Sequence, residues 1–208
     1  MHYDEIQLGR PSQDRMPPSN STYVIASKKQ LSALTSASRQ EILDVLTQME
    51  TVSVTELAAT LGRPPDALYY HLRILQRVGL IEKIGKRKTT RRQEALFRAV
   101  ARDLRIDYDL ARRKDEKTLS AVAASMLRLG IRDFRRAIRN RSVIVSGEYR
   151  ELWAARKTGW LRKGDLPSLL ESIERTAQSV ARPSGEGQLY GITILLTPLN
   201  RRRKPKNS

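Results

Sequence analysis

Apolar positions recur at helical spacing three times before residue 80 and then switch to strand-like alternation. Ile42, Leu43, Leu46 and Met49 fall three and four residues apart behind Ser38-Arg39-Gln40-Glu41, which matches a capping box and predicts a helix opening there. A second box, Ser53-Val54-Thr55-Glu56, opens a shorter helix with Leu57, Ala58 and Leu61 inward. Gly62 ends it, because glycine takes the left-handed conformation after a helix without steric cost. Arg63-Pro64-Pro65-Asp66 leads into a third helix, since proline suits a first turn and not a helix interior. Leu68, Leu72 and Leu75 form its buried stripe, and Val78-Gly79 closes it. After Gly79, Leu80–Ile84 and Glu94–Val100 read as strands, with the polar, basic run Gly85–Gln93 as the hairpin between them.

Further along, Lys117–Arg139 predicts one long helix. Leu119, Val122, Met126 and Leu129 are spaced 3, 4 and 3, a narrow seam of the coiled-coil kind that favours pairing with a second copy over packing on its own chain. Phe134 and Ile138 continue an apolar face beyond Gly130. Asp165 is placed to cap a helix with Leu166, Leu169, Leu170, Ile173, Ala177 and Val180 inward. Tyr190, Ile192, Ile194 and Leu196 alternate within Tyr190–Thr197 and read as a strand. The expected fold class is mainly α with a small β part (α+β): a helix-turn-helix with a hairpin wing, a long dimerisation helix and a small C-terminal α/β unit. The expected boundaries are a flexible arm at 1–22, the winged unit at 23–100, a connector and long helix at 101–140, a C-terminal regulatory or dimerisation unit at 141–200, and a basic tail at 201–208.

Charge narrows the function. Among 208 residues, 39 are Lys or Arg and 22 are Asp or Glu, a net charge of +17 that calls for a polyanionic partner. Nucleic acid leads, and an anionic membrane surface comes second. The chain has no cysteine, which removes disulfide frameworks, thiolate metal sites and cysteine nucleophiles. Its two histidines, His2 and His71, are too few for a His-rich metal site. No cofactor, no metal and no enzyme constellation is expected: carboxylates are scattered, and neither a nucleophile elbow nor a phosphate-binding glycine loop occurs. The longest apolar stretch, near Gly191–Leu196, is far short of the ~20 residues of a membrane helix, and Met1–Glu5 carries acids where a secretion signal carries a basic start. The expectation is a cytoplasmic protein with no membrane partner.

A helix pair joined by a tight turn and followed by a basic hairpin can grip a duplex. The major groove, about 12 Å wide, admits one helix, which must be apolar behind and polar in front. With the leucines facing back, Asp66, Tyr69, Tyr70, Arg73 and Arg77 remain for the front and flanks, and Arg63 stands just before them. Lys83, Lys86, Arg87, Lys88, Arg91 and Arg92 give the hairpin six cations with no acid between Lys83 and Gln93, the composition of a phosphate grip. Arg91 and Arg92 at the tip suit a narrow minor groove.

Thr55–Gly62, Ala67–Leu75 and Val78–Glu82 together resemble the winged-helix repressors of the ArsR-like superfamily, most clearly in the His-Leu-Arg-x-Leu-x-x-x-Gly-Leu run from His71 to Leu80. The resemblance spans about residues 31–100. It implies a homodimeric regulator, a repressor, bound to a partly palindromic double-stranded DNA operator. Metal-sensing members carry cysteines beside the helix pair; the matching segment here, Val54–Leu61, has none. Gly159-Trp160-Leu161 and Leu196-Thr197-Pro198-Leu199 look loosely like the C-terminal part of some members. Trp153 and Trp160 read first as core, and with Tyr190 they are the candidates for lining a pocket for an unknown small-molecule effector. His71 reads as a packing or positioning residue, and one of Tyr69 and Tyr70 as a cover for the core edge. Two other classes compete: a protein-interaction adaptor built on a winged helix, and a nonspecific nucleic-acid binder.

Overall fold

The computed structural model describes residues 22–88, 93–181 and 187–199. Strand β1 (Thr22–Ile25) is followed by helices α1 (Lys28–Leu34) and α2 (Ala37–Gln48), the short strand β2 (Val52–Ser53), and the helix pair α3 (Val54–Leu61) and α4 (Asp66–Arg77). Strands β3 (Ile81–Lys88), β4 (Gln93–Ala99) and β5 (Asp103–Ile106) precede the long helix α5 (Tyr108–Arg139). A single 3-10 turn, Lys163–Asp165, leads into α6 (Leu166–Val180). The fold is α+β, a winged helix-turn-helix with small sheets.

Two sheets serve different ends. β2, β4 and β3 form an antiparallel three-stranded sheet whose β3–β4 hairpin is the wing. β1 and β5 pair in parallel, Thr22 opposite Asp103 and Ile25 opposite Ile106, so the start of the described chain is tied to the entry of α5. The sequence reading placed a connector where β5 stands and ended its N-terminal arm at residue 22, where β1 begins. Both strands are short, and each is stabilised by a partner some 80 residues away, a pairing that local periodicity does not encode. The rest of that arm and the tail at 201–208 lie outside the described residues.

One core unites the winged unit. Leu31, Ile42, Leu46, Val52, Leu57, Leu68, Leu72, Leu75, Leu80 and Ile81 are fully buried, and Val122 of α5 joins them. Leu119 and Met126 pack against the same cluster and Leu129 is buried. The seam of α5 therefore packs on its own chain, chiefly against α1 and α2. Gln40 fixes the crossing by donating from Nε2 to the carbonyls of Leu34 (2.6 Å) and Val122 (3.3 Å). Within α5, Asp115 is extended, and its carboxylate accepts the Thr118 N–H at 3.0 Å, so the regular helix restarts there as a capped segment close to the predicted start.

The capping box predicted at Ser38 does not form. α2 opens two residues earlier, with Ser36 at its N-cap, and Ser38 lies inside the helix. Its hydroxyl accepts from Arg63 at 3.0 Å instead. Arg39 donates to the Ala33 and Ser32 carbonyls at the end of α1, where carbonyls run out of partners within the helix.

After α5 the expected packing fails. α6 forms over the predicted span, yet none of its side chains is fully buried: Leu169, Ile173 and Val180 are half-buried, and Leu166, Leu170 and Ala177 are exposed. The Asp165 carboxylate accepts the Arg162 N–H (2.8 Å) rather than capping α6. Tyr190–Thr197 carries no regular secondary structure. Trp153 and Trp160 are 71% and 65% exposed, which overturns their reading as core. Among the described residues, no buried apolar side chain lies beyond Leu129.

Candidate nucleic-acid interface

The site is built on the α3–turn–α4 unit. At the start of α3 the predicted capping box is complete: Ser53 Oγ accepts the Glu56 N–H (3.2 Å), and Glu56 Oε2 accepts the Ser53 N–H (2.8 Å). Gly62 ends α3 at φ 61°, the left-handed position that a side chain would strain. The turn then delivers α4 with Leu68, Leu72 and Leu75 against the core, each at most 1% exposed. Side chains three and four residues apart share a helix face, so fixing the leucines inward fixes the rest outward. Asp66, Tyr69, Tyr70, Arg73, Gln76 and Arg77 are all exposed. Tyr69 and Tyr70 are 47% and 60% exposed, so neither is a core cover. The far end of α4 is anchored by Gln30, whose Nε2 donates to the Val78 carbonyl (3.1 Å) and to the Tyr23 hydroxyl (2.7 Å).

Arg63 sits differently from its prediction. Its guanidinium donates to Glu41 and to Ser38, and its side chain is only 26% exposed. Glu41 also accepts from Arg132 of α5, so one carboxylate, 16% exposed, holds two guanidiniums and joins α2, the turn and α5. Arg63 is a brace for the entry of α4. His71 lies on the flank of α4, edge-on to Tyr70, with its Nδ1 buried and without a hydrogen-bond partner in the structure. Burial first, and then the nearby Arg39 and Arg63 charges, push its pKa below the usual histidine value. A neutral, packed ring agrees with the positioning role read from sequence.

The wing is a regular hairpin from Ile81↔Ala99 to Lys88↔Gln93, with one irregularity between Lys83 and Gly85. Lys83, Lys86 and Lys88 are exposed and make no ion pair among the described residues. Arg87 instead reaches back to Glu56 Oε1 at 2.6 Å. The Ser53 N–H bond and, after it, Arg87 hold the Glu56 carboxyl below the usual range, and the pair pins the wing to the start of α3. Arg91 and Arg92 lie outside the described residues.

The sequence reading left the α5 arginines open between solvation, pairing and a part in the interface. Arg128, Arg132, Arg135, Arg136 and Arg139 line one groove around Ile131. The Arg136 guanidinium comes within 4.0 Å of where a Cβ on Gly62 would stand, beside the helix-turn-helix turn. The signal was the spacing of these arginines along one helix face, with nothing in the sequence to say which neighbour that face meets. Trp153, Trp160 and Tyr190 do not line this groove. Tyr190 donates to Glu151 (2.6 Å), and both tryptophans are open to solvent.

No curated protein matches the chain. A family model described as a helix-turn-helix domain matches residues 34–84, from the last residue of α1 into β3. The match covers α2, α3 and α4 with the turn between them, so residues 34–84 are similar to a helix-turn-helix domain.

Proposed function

We propose that the chain is a sequence-specific double-stranded DNA-binding transcription regulator of the ArsR-like kind, acting as a homodimer and as a repressor. The division of α4 carries this reading. Three leucines are sealed into the core, and the opposite face offers two phenols, two guanidiniums, an amide and a carboxylate with no covering element among the described residues. Arg73 and Arg77 supply donors for guanine edges or phosphates, while Tyr69 and Tyr70 supply hydroxyls over apolar rings. Lys83, Lys86 and Lys88 on the wing lie along the backbone and add affinity that does not depend on sequence. Arg63 and Arg87 support this surface from behind through Glu41 and Glu56. A two-fold dimer places its half-sites about 34–36 Å apart, one helical turn of DNA.

The wing contribution is tested by a salt series on duplex binding with the Lys83→Ala, Lys86→Ala, Lys88→Ala triple variant. Loss of three phosphate contacts lowers the log–log salt slope by about 2.7, at ~0.9 per contact. An unchanged slope removes the wing from the interface.

A further inference from the structure

We propose that the described residues 144–181 and 187–199 form a homodimer interface in which each protomer's C-terminal segment is covered by a second copy of this chain. The proposal rests on the homodimer reading above and gives it a location. The α5 seam is not that location, since Val122 and Leu129 are buried in their own chain.

Three observations carry the inference. First, α6 is amphipathic in sequence and helical in the structure, yet it fully buries no side chain. Second, Tyr190–Thr197 has the alternation of a strand and no strand partner among the described residues. It also lies the wrong way round for a self-contained unit. Thr193 presses on α5, its Oγ1 2.9 Å from where a Cβ on Gly130 would stand, while Ile192 and Ile194 remain 49% and 45% exposed. Third, fifteen large apolar residues beyond position 140 are exposed. The four with rings, Tyr149, Trp153, Trp160 and Tyr190, are 46–78% exposed and at ~150–250 Å² each leave roughly 400–650 Å² uncovered, to which the exposed Leu, Ile and Val side chains add. A standard interface needs ~800 Å² from each partner, and monomers rarely expose a contiguous patch beyond a few hundred Å².

A second copy is the occupant that fits. A polar link from Arg105 of β5 to Glu174 holds the segment to its own chain, Tyr190 to Glu151 ties it internally, and the apolar side chains are left outward. A two-fold interface presents the same patch from both partners, so apolar meets apolar and an unpaired strand can find its twin.

The only two tryptophans, Trp153 and Trp160, both lie in this segment and report on it without labelling. Full-length protein is followed by sedimentation mass and by tryptophan emission with acrylamide quenching over a dilution series. The proposal expects a two-copy mass with blue-shifted, quench-protected emission, and both signals reverting together on dilution. The Ile192→Glu, Ile194→Glu variant should have the one-copy mass and solvated tryptophans with unchanged helical circular dichroism. A two-copy mass with solvated tryptophans throughout overturns the proposal and leaves the homodimer standing through another surface. A one-copy mass at every concentration overturns both. A one-copy mass with shielded tryptophans assigns the cover to the chain's own segments and also overturns it.

Discussion

His71 shows how a single residue on the α4 flank reports on folding. Its lowered pKa means that the unfolded chain binds a proton more readily than the native one. Above the unfolded value, about 6.5, both states are neutral and the residue adds no pH dependence. As the pH falls through that value, the unfolded state is stabilised first, so native stability declines until the lowered native pKa is passed. Urea midpoints measured on both sides of that value should fall for the native sequence and fall less for His71→Gln. Equal declines for the two proteins would place the titrating group elsewhere. Residue identity also sets the limits of what the sequence could say here. Leu68, Leu72 and Leu75 declared their inward face through spacing alone. Arg63 and Arg87 looked like Lys86 and Lys88, because a sequence lists cations without showing which carboxylate lies across the fold. Glu41 and Glu56 pair with those two guanidiniums, and they come from α2 and α3.

Among the elements, α3 was the most legible because every signal for it is local. Its capping box, its apolar spacing and its terminal glycine all sit within ten consecutive positions, and all three appear in the structure. Ser38-Arg39-Gln40-Glu41 offered the same lettering and no cap, because Ser36 takes the N-cap position and Arg63 recruits the Ser38 hydroxyl from outside the helix. A local motif is a contest that a tertiary partner can win. Ser53→Ala removes the real cap at a fully buried position and should cost about 0.5–2 kcal/mol in a denaturant titration. The loss should appear with the slope of unfolding unchanged, since the native core stays intact. A midpoint within error of the parent would mean that α3 is held without its cap. β1 and β5 lie at the opposite extreme, for their stability comes from each other.

At the level of the whole molecule, the structure divides at the end of α5. Before it lies a packed core whose outer face is the exposed side of α4 and the wing. Beyond it, after two exposed tryptophans, lie an unburied amphipathic helix and a strand-like run with no strand partner among the described residues. Sequence periodicity named both pieces and could not say what they pack on, since an apolar stripe looks the same whether its cover comes from the same chain or another. The long α5 seam misled for the same reason. Its spacing suits a twin helix, and α1 with α2 fill it instead. Arg132 then links α5 to Glu41 and through it to Arg63, so a short polar chain joins the long helix to the entry of α4.

The most direct measurement is selection of bound duplexes from a random library, run in parallel with the parent protein and with Arg73→Ala. The account predicts one enriched motif for the parent, arranged as two related half-sites with centres about 34–36 Å apart. For Arg73→Ala it predicts relaxed preference at one position of each half-site, with a loss of about 1–3 kcal/mol on the parent motif. Equal recovery of all sequences by both proteins would contradict it.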